Sequence, residues 1–377
     1  MGQQITVLGA GAGGLTTTAD LTIQGHDVTL FELPKFESNL EAIRSNEGID
    51  ITGAANEGHA RPATVTSDPA EAVEDTDLVI QVVPNFAFEP FAEAVGPHLS
   101  EGQPFVLLSA NTMSALEYRQ ILDDVGAPEI RLGETPSLAY AVRKTSPSSV
   151  HVLGIKRELS VAGLPAEHSS VLAEQMDDVF PFSVSAAENV LETSLFNANP
   201  VIHPVGALLN AGEIESPDDE YYLYQNVTDS IGRVMSRVDE ERAEIGEALG
   251  LEVKTVGELF HDWYGIGENE YYATTTNSLR TSSIHGPIQG PDSLDHRYVT
   301  EDVPYGLVPL SEMAAACGVE TPTIDSLIQL AEDVHHTDFR ADGRTLDDCG
   351  IDATDRDALL RVATRSTPVS SLAEACR

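Results

Sequence analysis

Cysteine is scarce: Cys317, Cys349 and Cys376 are the only three in 377 residues. So odd and widely spaced a set provides neither a disulfide framework nor a zinc site, and it fits a reducing compartment. Cations are scarce too, with 21 lysines and arginines against 61 acids and a formal net charge of −40. A field of that sign repels polyanions, which argues against nucleic acid and anionic membrane as partners. No apolar run approaches membrane-spanning length, so no membrane span is expected. The N-terminus has no basic stretch followed by an apolar one and leads straight into a strand, so a cytoplasmic protein is expected. His151, His168, His261, His285 and His296 have no metal-ligand spacing, and most of them read as surface residues; no metal is expected. A phosphate-binding lysine motif and a Ser/His/Asp constellation are absent as well.

What is present is an ordinary globular composition, 41% hydrophobic with 29 glycines, in a chain long enough for two domains. The acids are scattered through periodic segments, as in Asp239-Glu240-Glu241, and are not gathered into a tail. Dispersed acid with little lysine is the pattern of halophile proteins, in which concentrated salt screens the self-repulsion.

In the first half, Ile5–Leu8 reads as a buried strand, followed by Gly9-Ala10-Gly11-Ala12-Gly13-Gly14 and a helix over Leu15–Ile23. This is G-x-G-x-x-G between a strand and a helix. Gly9 would make the tight turn, Gly11 would admit a pyrophosphate against the backbone, and Gly14 would let helix and strand pack closely. A second strand, Asp27–Phe31, ends at Glu32, where a carboxylate would take the ribose hydroxyls and repel a 2′-phosphate. NAD(H) is therefore favoured, with NADP(H) kept open by the nearby Lys35 and Arg44. Strands over Leu78–Val83 and Phe105–Ser109 place Pro84, Asn85 and Asn111 at carboxyl ends, where ligands bind in a doubly wound sheet. Between the strands a helical run covers Pro90–Leu99. Strands near Ile130–Gly133, Ala139–Arg143 and Val150–Ile155 read as antiparallel, joined by short turns. Arg143 could meet a substrate carboxylate or sit in solvent. A helix over Ala166–Phe180 and a strand at Phe182–Val184 close this half.

From Ala187 onward strand signals nearly vanish. The expected architecture is α/β: an N-terminal Rossmann domain, a doubly wound sheet over residues 1–186, and a mainly α-helical C-terminal domain over 187–377. Leu191, Leu195, Ala198, Ile202, Val205 and Leu209 recur at helical spacing and should face a core. Asn199 and His203, four residues apart, share the adjoining face. Pro204 should disturb the helix beside His203. A histidine in such a place is ordinarily a packed core residue, and Asn199-Pro200 also reads as a helix cap. Further helices are expected over Thr228–Leu249, Val256–Tyr264, Leu307–Ala316, Thr323–Asp333 and Asp355–Ala363. Trp263, Tyr264, Tyr271 and Tyr272 either line a pocket or pack.

The segment Arg297-Tyr298-Val299-Thr300-Glu301-Asp302-Val303-Pro304-Tyr305-Gly306-Leu307-Val308-Pro309 resembles the signature of the opine dehydrogenase family, the NAD/NADP octopine and nopaline dehydrogenases. The resemblance extends to Asn199–Pro204, Val238–Arg242, Gly318–Pro322 and Gly343–Leu346. With the glycine fingerprint it covers nearly the whole chain. It implies reductive condensation of a 2-keto acid with the amino group of an amino acid, through an imine reduced by hydride. On matching positions it implies His203 as general acid/base and Asp302 as its partner, with Arg297 and Asn199 holding substrate. An imidazole suits proton transfer near neutral pH, and an arginine fork suits a carboxylate. Two rivals remain: simple keto acid reduction or hydroxy acid oxidation, which needs no amine, and a non-catalytic NAD-binding regulator, which would not depend on His203. A homodimer is the default assembly.

Overall fold

The computed structural model describes residues 2–216, 220–266, 275–351 and 355–364. Its strands are β1 (Gln4–Leu8), β2 (Asp27–Phe31), β3 (Ile49–Gly53), β4 (Gly58–Ala60), β5 (Thr64–Thr66), β6 (Leu78–Gln81), β7 (Pro104–Leu107), β8 (Arg131–Glu134), β9 (Tyr140–Ser146), β10 (Ser149–Ile155), β11 (Glu158–Leu164) and β12 (Ser183–Ala186). Eight form one sheet in the order β12-β11-β8-β7-β6-β1-β2-β5. The run from β8 to β5 is parallel throughout. Its central strands are buried on both faces, which is why β1 and β6 read as unbroken apolar runs. The β11–β8 pair is antiparallel and β11–β12 parallel.

The segment near Ile130 departs from expectation. It is β8, parallel to β7, because the helix Ser114–Asp124 supplies a crossover that the sequence reading lacked. Ala115, Leu116, Tyr118 and Leu122 form the buried face of that helix. The β9–β10 hairpin is antiparallel as expected, but it lies in a second sheet, β4-β3-β10-β9, in which β10 runs parallel to β3. Tyr140 of β9 donates to Asp20 Oδ2 at 2.8 Å, tying this sheet to the helix Ala12–Ile23. The hairpin is thereby held above the glycine loop.

Beyond Ala186 the described elements are helical. Asp229–Leu249 is the longest; the Thr228 side chain accepts from Ile231 N–H at its start, and Gly250 at φ +82° ends it. The apolar run around residue 200 is split into two helices, Val190–Leu195 and Asn199–Leu208. Five of its six stripe residues are buried; Leu209, 42% exposed, is not. The second helix continues through Pro204, so His203 stays helical and no break occurs there. Asn199 is the first helical residue rather than the cap, and its N–H is met by Asn197 Oδ1 at 2.9 Å. Among the described residues no helix is long and apolar enough to cross a membrane.

Candidate active site

The glycine loop is built as its spacing demands. Gly9 has φ +104°, and a Cβ there would lie 2.6 Å from Val83 Cγ1. A Cβ on Gly14 would lie 1.8 Å from the Gly9 carbonyl oxygen, so helix and strand touch at that point. At Gly11 a Cβ would meet nothing within 4 Å. Open space over this backbone, an uncapped helix N-terminus and no acid in the first turn together make a seat for an anion such as a pyrophosphate. Glu32 is buried beside the loop, its carboxylate accepting from Ala10 N–H at 3.1 Å and Leu33 N–H at 2.9 Å. Arg44 is engaged by Glu37 and the Val65 carbonyl, and Lys35 lies over the Phe36 ring. Lys144 of β9 reaches the Ala10 carbonyl at 3.4 Å.

From Gly11, Ala12 and Gly13 a cleft of about 550 Å³ runs past Pro84 and Asn111 to the helical half. Asn199, His203, Arg143, Arg297 and Asp302, named from sequence on opposite sides of a hundred-residue gap, all line it. His203 Nδ1 lies 2.7 Å from Asp302 Oδ2, and both groups are buried. A carboxylate only accepts, so Nδ1 carries the hydrogen and Nε2 faces the cleft, 3.2 Å from the Tyr224 hydroxyl. Tyr298 stacks on the imidazole with centroids 4.0 Å apart and planes at 24°. Burial pushes the Tyr224 phenol well up, keeping it a donor.

The carboxylates beside the imidazole are held from the Rossmann side. Asn111, expected near cofactor, donates from Nδ2 to Asp302 Oδ1 at 3.0 Å and accepts from Asn197 at 2.9 Å. Asn85 donates to Glu301 Oε1 from its backbone and its side chain, at 2.9 and 3.0 Å. Thus the loops after β6 and β7 grip two consecutive acids. The π-helical turn Val303–Leu307 follows immediately, an irregularity frequent at functional sites. Arg297 lies 3.2 Å from Glu301 through Nε and is 56% exposed by side chain, leaving the outer edge of its guanidinium toward the cleft. Arg143 touches only the carbonyl of its neighbour Val142, at 3.3 Å, and pairs with no acid among the described residues. It is free to meet a carboxylate.

Sequence reasoning missed Tyr224, Lys156 and Arg344. Tyr224 and Lys156 sit in no recognisable pattern; Tyr298 and Arg344 lie inside the motifs that carry the resemblance, where no role was drawn for either. Arg344 is fully buried and bonds Glu117 at 2.6 Å, Asn85 Oδ1 at 2.8 Å and the Thr112 carbonyl. His285, expected at the surface, is buried in the cleft, where burial and the surrounding cations lower it to about 3 and keep it neutral. Trp263 and Tyr264 line the cleft; Tyr271 and Tyr272 lie outside the described residues, as does Cys376. No cluster able to hold a metal occurs among the described residues.

Comparison with known proteins adds the following. Residues 186–335 match the family described as NAD/NADP octopine/nopaline dehydrogenase, alpha-helical domain, and residues 5–164 match ketopantoate reductase PanE/ApbA. The chain is 38% identical over 345 residues to the opine dehydrogenase of Arthrobacter sp. (strain 1C), covering 92% of this chain and 94% of that one. Among solved structures, octopine dehydrogenase in complex with NADH and agmatine superposes with a TM-score of 0.77 at 22% identity, covering 97% and 100% of the two chains. NADP+-bound yersinopine dehydrogenase gives 0.68 at 17% identity, covering 95% and 97%.

Proposed function

The chain belongs to the opine dehydrogenase family, and from that premise we propose how its own residues carry out the reaction. It is a nicotinamide-dependent dehydrogenase acting on CH–NH bonds, joining a 2-keto acid to the amino group of an amino acid. In this reading the keto acid carboxylate is held by the guanidinium groups of Arg143 and Arg297, whose planar donors match its two oxygens. Asn199, one helical turn before His203, presents its amide to the same substrate. The amine adds to the keto carbon, giving a carbinolamine.

His203 in its charged form then donates the Nε2 proton to the departing hydroxyl. Water leaves and the C=N bond forms. Asp302 keeps the Nδ1 hydrogen in place and stabilises the imidazolium, and Asn111 fixes Asp302 in turn. A nicotinamide cofactor held at the glycine loop by Gly9, Gly11 and Gly14 would supply the hydride for this C=N carbon. Tyr298, stacked on the imidazole, excludes water from one of its faces. The single observation carrying this reading is the buried 2.7 Å contact between His203 and Asp302 in a cleft that also holds the glycine loop.

NADH is the proposed cofactor over NADPH, because Glu32 stands where a 2′-phosphate would bring like charge and because Arg44 is already engaged. The acid-rich surface is proposed to suit work in concentrated salt. The experiment is a high-salt matrix of keto acids against amino acids, run with NADH and NADPH, with the product weighed by mass spectrometry. Oxidation of NADH requiring both partners, with a condensed secondary amine as product, is expected. Steady oxidation with a keto acid alone and no condensed product would establish simple keto acid reduction instead.

A further inference from the structure

One lysine in the cleft has no part in that scheme. Lys156 follows β10, and its backbone N–H is fixed to the Ala139 carbonyl at 2.9 Å, so its side chain points inward from the hairpin. Nζ donates to Ser137 Oγ and lies 3.5 Å from the centroid of the Trp263 ring. The residue is 3% exposed and lines the cleft. Burial holds this amine well below the usual ammonium range, and no carboxylate among the described residues offsets that cost. A buried lysine without a counter-ion is expensive to keep unless a ligand provides one. Phe260, Tyr264, Ile288 and His285 line the same cleft, with Phe260 and Tyr264 packed on Trp263. Lys156 therefore lines the same cleft as the proposed proton donor and Arg143.

We propose that Lys156 anchors a carboxylate of the amino-acid substrate, so that the amine side of the cleft selects amino acids over amines lacking that group. The inference rests on the condensation reading for the identity of the amine. A keto acid carboxylate on Arg143 and Arg297 and an amino acid carboxylate on Lys156 would hold both reactants in the cleft that His203 lines. The aromatic walls then take the amino acid side chain, and a cationic side chain is disfavoured beside a lysine. Agmatine, the ligand of the octopine dehydrogenase complex, has a guanidinium and no carboxylate; it is the kind of amine this arrangement turns away.

The test uses the full chain and the variants Lys156→Met and Lys156→Arg. L-leucine is compared with 3-methylbutylamine, its decarboxylated counterpart, and L-arginine with agmatine, each with NADH and pyruvate. In the parent, kcat/KM for the amino acid should exceed that for the amine by about tenfold or more, the worth of one charge-assisted contact. Lys156→Met should bring that ratio toward one by raising KM for the amino acid, leaving KM for pyruvate unchanged, and Lys156→Arg should restore part of it. A parent that uses both equally, or a Lys156→Met enzyme that keeps the ratio, overturns the proposal.

A second arm needs no turnover. Trp263 is the only tryptophan in the chain and lies under Nζ, so its fluorescence reports occupancy of this corner. L-leucine titrated into the NAD+-loaded protein should give a saturable change, weakened about tenfold or more by Lys156→Met. Identical titrations in parent and variant sink the inference even if no pair of substrates condenses. Absence of condensed product from every pair strikes the reaction itself and leaves this result to stand alone.

Discussion

His203 is a group whose surroundings narrow what it can do. Asp302 takes its Nδ1 hydrogen, Tyr298 covers a face, and only Nε2 opens on the cleft. His203→Ala should lower kcat by roughly 10²–10⁴, the usual worth of general acid catalysis, while NADH binding followed by nucleotide fluorescence stays close to the parent. A loss confined to KM would contradict the role. Arg143→Met should raise KM for the keto acid about tenfold or more and leave kcat nearly intact, since the role proposed for it is to hold substrate without touching the bond that changes. Equal losses in kcat for both variants would blur the division between proton transfer and anchoring. At this scale the resemblance to the family signature singled out His203, Asp302, Arg297 and Asn199, and all four line the cleft. Lys156 and Tyr224 were not, because a lone lysine or tyrosine has no periodicity or partner until folding gives it neighbours.

Among the elements, two joints hold the site together, and both involve helices that spacing described incompletely. The first is Glu134 at the end of β8, wholly buried. Its carboxylate accepts from Ala115 N–H at 2.6 Å and from the Thr193 hydroxyl at 2.7 Å, linking the helices Ser114–Asp124 and Val190–Leu195. Burial raises this carboxyl to about 7 from an ordinary 4.5. The native state thus holds the proton more tightly than the unfolded chain. Glu134 contributes stability below pH 4.5, and that contribution is lost as pH rises through about 7. Glu134→Gln, which can accept from Ala115 and donate to Thr193, should remove a decline on the order of 3 kcal/mol between those pH values. Denaturant melts of parent and variant at pH 5 and 8 decide it; parallel pH profiles would refute the assignment.

The second joint is Arg344, which pairs with Glu117 and bonds Asn85, whose amide in turn holds Glu301. Arg344→Met leaves Glu117 without its partner and should cost about 3–5 kcal/mol in urea unfolding. Activity should also fall, because Asn85 loses its support. A variant as stable as the parent would show the pair to be replaceable. The helix Ser114–Asp124 escaped the sequence reading, and with it the parallel sense of β8. The helix around His203 was read as disturbed at Pro204, yet it runs on, because burial of Val201, Ile202 and Val205 outweighs the loss of one backbone hydrogen bond.

Over the whole molecule, the −40 charge sets the conditions under which these local energies operate. Self-repulsion among dispersed carboxylates opposes compaction, and salt shortens its reach from about 10 Å at 0.1 M to about 3 Å at 1 M. The midpoint of thermal unfolding should therefore rise as potassium chloride is increased from roughly 0.1 to 1 M. A midpoint that falls or stays level would show that surface charge does not limit this fold.

Composition and local pattern alone determined that the chain is an α/β protein with a dinucleotide loop and a helical second half, because glycine spacing and strand-helix alternation are properties of short segments. Which imidazole and which carboxylate to watch came from the resemblance to the family signature. Tertiary structure alone decided that these meet at 2.7 Å, that Asn85 and Asn111 hold the two acids, and that β9 and β10 leave the main sheet to bring Arg143 and Lys156 over the cleft. Those contacts join residues as much as 216 positions apart. Pairing over such distances depends on which buried faces fit and which polar groups find partners in the assembled core, and no stretch of neighbouring residues encodes that fit.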